Sequence, residues 1–497
     1  YFLKMSKYQL SKSTFIRGLQ CEKSLYLYKK HYNLKDPTSP FLQAIFDQGN
    51  SVGVLAQSLF PGGVDASPEN HFKIFESVEK TKTFLDKDEK IIYEATFMHN
   101  GVIAALDILV KDDEGWKAYE VKSSTSVTDT YVKDAAIQYY SIVNSGIDLK
   151  DISIVHINNQ YLRKEELQID ELFSIESVKE RVLEYLPGIP NQVTRLKSVI
   201  NRDKQPEIEI GAHCSKPYDC DFKGTCWSNI PDYSIFNIAK LNSKKKFDLY
   251  NRGIVTIDQI DLNLTKLSPN QILQVESEIN GTTFIDKNEI RNFTSDLKYP
   301  LYFLDFETIS PSIPLFKETR PYQQVVFQYS LHIQENFESE LIHKEYLANP
   351  KEDPRINFLK KLILDCGDSG DILVYNISFE KGKLNDLQER FPVYSSQLQS
   401  IISRMKDLMI PFQKKWYYTP EMKGSYSIKY VLPALVPELS YNDLKIKDGS
   451  SASNIFLSMV SGMFDGNENQ VRENLLDYCK KDTFAMVKIL EKLKEFR

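Results

Sequence analysis

The sequence predicts a multidomain α/β protein, and three observations carry that expectation. The chain has 497 residues, well past the ~250–300 at which a single hydrophobic core stops growing, so a length prior gives about three domains. Two long stretches, residues 5–230 and 296–497, alternate helical and strand patterns. Between them, residues 231–295 read as short helices alone. Composition is ordinary for a globular protein, at 42% hydrophobic and 26% charged residues, without low-complexity stretches or repeats. No apolar run approaches the roughly 20 residues that span a bilayer, and the N-terminus lacks a signal-peptide core; a cytoplasmic protein without membrane contact is expected. Tyr1–Lys4 precede Met5 and are set aside.

A net charge of −6 argues against holding nucleic acid by bulk positive charge. It leaves room for acidic metal sites with local basic patches such as Lys244–Lys246, Lys414 and Lys415, or Lys480 and Lys481. Runs of this kind are more often solvated faces than phosphate contacts.

In order along the first stretch, "STFIRGLQCEKSLYLYKKH" reads as one amphipathic helix capped by Ser13 or Thr14. "IIYEATFMHNGVIAALDILVKDDEGWKAYEVKSS" reads as three strands joined by the turns "HNG" and "DDEG", a β-meander. A helix over "TDTYVKDAAIQYYSIVNSG", ended by Gly146, and a strand at "ISIVHIN" follow.

The meander brings together a first set of chemical groups. Glu120 and Lys122 are two residues apart and share a strand face, with Asp107 on the neighbouring strand. Two carboxylates can bind a divalent ion, which polarises a phosphodiester, and an ammonium beside them can orient a nucleophile. Glu94 faces the same meander and is a further acidic candidate; Gln138, with a tyrosine, lies on the next helix. The bland alternative is a surface hairpin with a cross-strand ion pair.

The order acid, then Glu-x-Lys, then a helix with Gln and Tyr resembles the RecB-like nucleases of the PD-(D/E)xK superfamily. Cys21 ahead of these motifs and Cys214, Cys220 and Cys226 after them have the layout of a subgroup in which four cysteines hold an iron–sulfur cluster. The CRISPR adaptation nucleases and AddB-type subunits belong to it. The resemblance implies a [4Fe–4S] cluster on these four cysteines. Structural zinc is the alternative, disfavoured because five residues separate neighbouring cysteines where zinc sites usually carry tight C-x2-C pairs. Cys366 and Cys479 lie in apolar helical contexts and read as plain core residues. One departure is the histidine that many RecB-like nucleases carry in a first helical motif: "FDQGNSVGVLAQSLFPGG" has none, and nearby His71 reads as incidental.

Residues 231–295, with the turn "RGIVTIDQI", read as a helical spacer or as a helix-hairpin-helix-like binder of a DNA backbone. After them comes "YPLYFLDFETIS", an apolar strand that nevertheless carries Asp305 and Glu307 on one face. Two like charges side by side in such a strand cost several kcal/mol unless neutralised. "DILVYNISFEKGKLNDL" then runs from strand into helix with Glu380 near the helix start, and "ENLLDYCKKDTFAMVKIL" is a helix with Tyr478 and Asp482 one turn apart.

These four acids and the tyrosine resemble the DnaQ-like exonucleases of the DEDDy type. The resemblance implies a ribonuclease-H-like fold and two-metal hydrolysis with Mg2+ or Mn2+ on Asp305, Glu307, Glu380 and Asp482, while Tyr478 orients the attacking water. Glu380 departs from the family's aspartate, and its extra methylene changes its reach. Asp407 matches a further acid that is more often structural, and "GSYSIKYVLPAL" resembles the segment before the last motif. The pairing of both halves resembles a bacterial family of unknown function. It implies a nuclease with two active sites that trims or degrades DNA, in repair or in defence against foreign DNA: a 3′–5′ exonuclease in the C-terminal half and a single-strand nuclease in the N-terminal half. RNA processing, or a nucleic-acid-binding scaffold with an inert site, are the alternatives. No GxxxxGK[ST] phosphate loop is present, so any helicase would be a separate partner.

Overall fold

Cys21 interrupts what its neighbours would make a continuous helix. α1 (Lys12–Gln20) and α2 (Glu22–Lys30) meet there, and the Cys21 backbone is extended, with φ −159° and ψ 116°. The single helix expected over this stretch is thus two helices. The cap also differs from the expected Ser13 or Thr14: Ser11 caps α1 in a reciprocal capping box with Thr14. The break satisfies its own backbone groups, because the Cys21 amide closes α1 on the Arg17 carbonyl and the Cys21 carbonyl accepts from the Leu25 amide to begin α2.

The fold is that of a computed structural model, which describes residues 9–70 and 73–496. The chain divides into two units, one of Tyr1–Asn229 with Pro311–Gln323, the other of Ile230–Ser310 with Gln324–Arg497. Among the described residues, no helix is long and apolar enough to cross a membrane. Both units mix helices with a β-sheet.

In the first unit the meander forms as the alternation predicts. β1 (Ile91–His99), β2 (Val102–Asp112) and β3 (Gly115–Lys122) are successive antiparallel strands. Asn100 and Gly101 both take positive φ, 45° and 64°, the conformation a two-residue type I′ hairpin turn requires. At the second turn the Asp112 carboxylate accepts from the amides of Glu114 and Gly115. α3 (Asp129–Val143), capped by Thr128, leads into β4 (Leu149–Ile157), parallel to β3, and β5 (Phe173–Ser177) is antiparallel to β4. Two-residue strands at Leu10–Ser11 and Val64–Asp65 complete a seven-stranded sheet. α3 belongs to the core over this sheet, with Val132, Ala135, Ala136 and Ile142 fully buried; each large apolar side chain so buried contributes about 1.5–3 kcal/mol.

The second unit begins with the short helices. Ile235, Leu249, Ile257 and Val275, the last on α4 (Pro269–Asn280), share a small core. Phe284–Ile285 pairs antiparallel with Tyr417–Tyr418, which ties this stretch into the unit. The main sheet centres on β6 (Leu301–Ile309), with β7 (Val325–Gln334) and β8 (Leu341–Leu347) antiparallel on one side. β9 (Asp371–Val374) and β10 (Met405–Asp407) lie parallel on the other, giving the order β8-β7-β6-β9-β10. Gly370 makes the approach to β9 possible: its φ is +83°, and a Cβ there would collide with the Pro300 carbonyl oxygen. α5 (Ile377–Arg390) follows β9, and α6 (Ile428–Leu435), α7 (Gly449–Val460) and the long α8 (Glu468–Glu495) complete the unit. Leu304, Phe306, Tyr329, Phe358 and Leu362 form the centre of its core.

Candidate metal centres

Alternation along β6 sends Asp305 and Glu307 to one face, where their partners on β7 are Ser330 and Gln328. α8 presents Tyr478 and Asp482, one turn apart, to the same place. The carboxylate oxygens of Asp305, Glu307 and Asp482 all lie within 4.8 Å of one another. Glu307 and Asp482 are only 7% and 8% exposed, and Asp305 is partly buried.

Electrostatics at this cluster are unbalanced. Desolvation and then the Asp482 charge push the Asp305 carboxyl well above its ordinary range. Glu307 rises likewise, through burial and then Asp305 and Asp482. Glu380, buried on the first turn of α5, is raised by burial and then by Asp305, and its Oε2 has no hydrogen-bond partner. Asp482 is also raised by burial, although hydrogen bonds from Tyr441 and Tyr478 and the Lys429 charge pull the other way. Lys429 on α6 is the cation acting on Asp305, Glu307 and Asp482. Its ammonium lies 5.7 and 5.5 Å from the ring centroids of Tyr441 and Tyr478. One lysine does not neutralise four carboxyls. Three close oxygens and an orphaned fourth carboxylate suit a hard divalent cation, which takes oxygen ligands.

Three neighbours escaped the sequence. The Tyr441 hydroxyl donates to Asp482 Oδ1 at 2.6 Å; Lys429 is described above. Cys479 is fully buried, as a core residue should be, yet its Sγ lies 3.6 Å from Asp305 Oδ2. Tyr441 and Cys479 had no signal in residue type or spacing, although Cys479 follows Tyr478 directly; Lys429 lies within "GSYSIKYVLPAL", a stretch singled out without a role for its lysine. Asp407 has a different job from the other acids. Its carboxylate accepts from the amides of Asn376, Ile377 and Met409, at 3.1, 3.2 and 2.9 Å, and so fixes the start of α5 that carries Glu380.

The first unit holds a second acidic set. Gly49, Asn50, Glu94, Asp107, Glu120 and Lys122 line a cavity of about 500 Å³. Glu120, 1% exposed, accepts from Lys12 Nζ at 2.5 Å and Lys122 Nζ at 2.6 Å through Oε1, and from Gln138 Nε2 at 2.7 Å through Oε2. Burial works against its charge, but Lys12 and Lys122 hold it down to about 2. Asp107 Oδ2 accepts the Val121 amide at 2.6 Å. Burial and then the Glu120 charge push Asp107 up to about 8 and Glu94 to about 7. Glu94 also breaks the strand: its φ is 55°, and the β1–β2 pairing skips Glu94 and Asp107 between Tyr93↔Ile108 and Ala95↔Leu106. A non-glycine residue held so costs of order 1–3 kcal/mol and is commonest at functional sites.

The residues foreseen for this set (Glu94, Asp107, Glu120, Lys122 and Gln138) are therefore brought together. Lys12 and Asp134 were not foreseen. Asp134 accepts from Lys122 Nζ at 2.6 Å and sits four residues before Gln138 on α3, a same-face spacing that was legible. Lys12 comes from far along the chain with no local mark. His71 lies outside the described residues.

Cys21, Cys214, Cys220 and Cys226 line one small cavity of about 20 Å³, and none forms a disulfide. The Cys220 amide bonds the Cys214 carbonyl at 2.9 Å, closing the loop that holds both. Desolvation, with the neighbouring thiols adding, raises Cys21 and Cys226. Four thiols in one cavity, with His213 and Glu209 also on its lining, form a soft donor set of the kind that takes zinc or an iron–sulfur cluster.

Comparison with known proteins finds relatives, and a family model, that are similar to part of this chain. The chain is 30% identical over 223 residues to the uncharacterized protein MG366 of Mycoplasma genitalium, covering 41% of this chain and 33% of that protein. It is 28% identical over 299 residues to the uncharacterized protein UU173 of Ureaplasma parvum, covering 52% of this chain and 41% of that protein. The matches thus span about a third to two-fifths of these relatives. Residues 302–427, which include Asp305, Glu307, Glu380 and Asp407, match the family model described as a domain of unknown function, DUF2779.

Proposed function

We propose that this protein is a metal-dependent nuclease with two active sites, a 3′–5′ DNA exonuclease centre in the second unit and a single-strand nuclease centre in the first. The observation that carries the assignment is the Asp305–Glu307–Asp482 cluster, whose oxygens converge within 4.8 Å under too little positive charge. Asp305, Glu307, Asp482 and Glu380 would hold magnesium or manganese. Bound there, such ions supply Lewis acidity toward the phosphoryl oxygens and an acidified water. Tyr478, one turn from Asp482 on α8, would orient the attacking water, and Lys429 would offset charge on the acids. Gly449 packs close against the cluster, since a Cβ there would stand 3.3 Å from Glu307 Oε2. A ribonuclease-H-like fold for the second unit and a RecB-like fold for the first are part of the same proposal, supported by strand order and motif placement.

In the first unit Glu94, Asp107 and Glu120 would hold the ion, and Lys122, steered by Asp134, stabilises charge on the phosphate. The four cysteines would carry a [4Fe–4S] cluster as a staple between α2 and the loop after residue 210. Five residues separate neighbouring cysteines, where zinc sites usually carry tight C-x2-C pairs. Spacing favours the larger cluster.

The test is a degradation assay with 3′- and 5′-labelled single strands of DNA and RNA in manganese. Asp305→Ala is expected to slow 3′-end trimming roughly 10²–10³-fold, the loss of several kcal/mol of charge stabilisation, while Glu120→Ala removes the residual cutting. Undiminished degradation by the double variant would overturn the assignment, and faster loss of RNA than of DNA would redirect it to RNA processing.

A further inference from the structure

A separate cavity of about 310 Å³ lies in the second unit, bordered by Lys240, Gln413, Lys415, Tyr426 and the first turn of α4, Ser268–Gln271. Its size falls at the lower end of the range for small-ligand pockets. No carboxylate lines it.

Lys415 is the unusual member. It is 6% exposed, and a lysine so buried is almost always paired. Among the described residues its ammonium has no hydrogen bond or ion pair; it stacks on the ring face of Tyr418, 3.5 Å from the centroid. Burial alone brings its pKa down to about 8, which records the missing counter-charge. Lys240 is exposed and, among the described residues, makes no ion pair; its ammonium lies 5.9 Å from the Tyr426 ring centroid. The twelve-residue α4 adds the positive end of its dipole and the Asn270 amide; Pro269 has no N–H, and the Gln271 amide is taken by Ser268. Two unpaired lysines, a helix N-terminus and an aromatic ring thus surround a space with no negative charge of its own.

We infer that this cavity is a phosphate-binding site, which holds a phosphate of the nucleic-acid strand while Tyr426 offers a stacking face to the adjoining base. Guanidinium-free recognition of this kind suits lysine, which acts on phosphate as a point charge. Its place in the chain relates it to the acidic cluster. Tyr426 and Lys429 are three residues apart, so at most about 11 Å of backbone separates the cavity's edge from the lysine that faces Asp305 and Glu307. The Tyr375 hydroxyl donates to the Tyr426 carbonyl at 2.8 Å and fixes that connection. Phosphate binding itself stands without the nuclease assignment; its use as a strand contact rests on it.

Binding is to be measured on full-length protein carrying Asp305→Asn and Glu120→Gln, which prevents turnover, with inorganic phosphate and with a single-stranded dodecanucleotide as probes. Lys415→Met and Lys240→Gln are compared after thermal melting shows each is folded. Each is expected to weaken phosphate binding about tenfold. Each is also expected to lower the slope of log K against log salt for the oligonucleotide by roughly 0.7, one phosphate contact on a single strand. Should Lys415→Met fail to fold, Lys240→Gln at the surface decides alone. Phosphate affinity unchanged in the folded variants, or no phosphate binding by the parent, overturns the site. Lysine-dependent binding of inorganic phosphate with a lysine-independent oligonucleotide supports the site and assigns it to free phosphate, overturning the strand contact. Lysine-dependent phosphate binding in a protein that degrades neither polymer keeps the site and removes the nuclease assignment.

Discussion

Tyr478 and Tyr441 both flank Asp482, yet their expected roles separate cleanly. Tyr478→Phe removes the hydroxyl that orients water and should lower 3′-end trimming roughly 10²-fold, with metal affinity little changed. Tyr441→Phe removes the 2.6 Å bond that aims Asp482 and should weaken manganese binding about 10–100-fold, with activity recovered at saturating metal. Isothermal titration with manganese, beside the degradation assay, reads both. Equal effects of the two variants on metal affinity would count against this division of labour. Glu380 feels the Asp305 charge and has an orphaned Oε2, but it stands outside the converging trio.

At the level of elements, the break between α1 and α2 is the feature with most consequence. It places Cys21 in the cavity that Cys214, Cys220 and Cys226 line, and it sets Lys12 on a helix whose start reaches Glu120. Cys21→Ser should therefore do two things: lower bound iron measured by metal analysis, and lower the melting temperature of the purified protein by several degrees. A colourless wild-type preparation with stoichiometric zinc, without absorbance near ~400 nm, would refute the iron–sulfur assignment. The glycine before β9 gives a stability test free of metal chemistry. Gly370→Ala meets the Pro300 carbonyl at φ +83° and should destabilise by more than ~1 kcal/mol, seen as a lower urea midpoint.

For the chain taken entire, both acidic sets impose one pH trend. Asp107 and Glu94 are raised to about 8 and 7, and Asp305, Glu307 and Glu380 are raised as well. A carboxyl raised in the fold binds its proton more tightly there than when unfolded. Its stabilising contribution is complete below the unfolded value near 4 and is lost as pH rises through the folded one. Glu120, lowered to about 2, acts oppositely, but its transition lies below this window. His332 and His343, lowered to about 3 and 4, act the other way only below about 6.5. Chelator-treated protein should thus lose thermal stability between about pH 6.5 and 8, and added manganese should restore it most at the upper end, where no proton has to be displaced. Stability that rises with pH over that window in the chelated protein would contradict the picture.

Much of this was legible in residue order, and the reason is local. Strand alternation put Asp305 beside Glu307 and Glu120 beside Lys122; helical periodicity put Tyr478 beside Asp482; the Asn100–Gly101 turn was spelled by residues that tolerate positive φ. Each depends on neighbours within about four positions, so backbone geometry alone suffices. The contacts that give those groups their chemistry come from elsewhere. Lys12 crosses 108 positions to reach Glu120, and Tyr441 crosses 41 to reach Asp482. Lys415 loses its counter-charge because of what packs around it. Periodicity carries no information about such long-range meetings, since sheet order and helix docking choose them. Local stereochemistry wrote the candidate ligands into the chain, and packing set their charge, their burial and their partners.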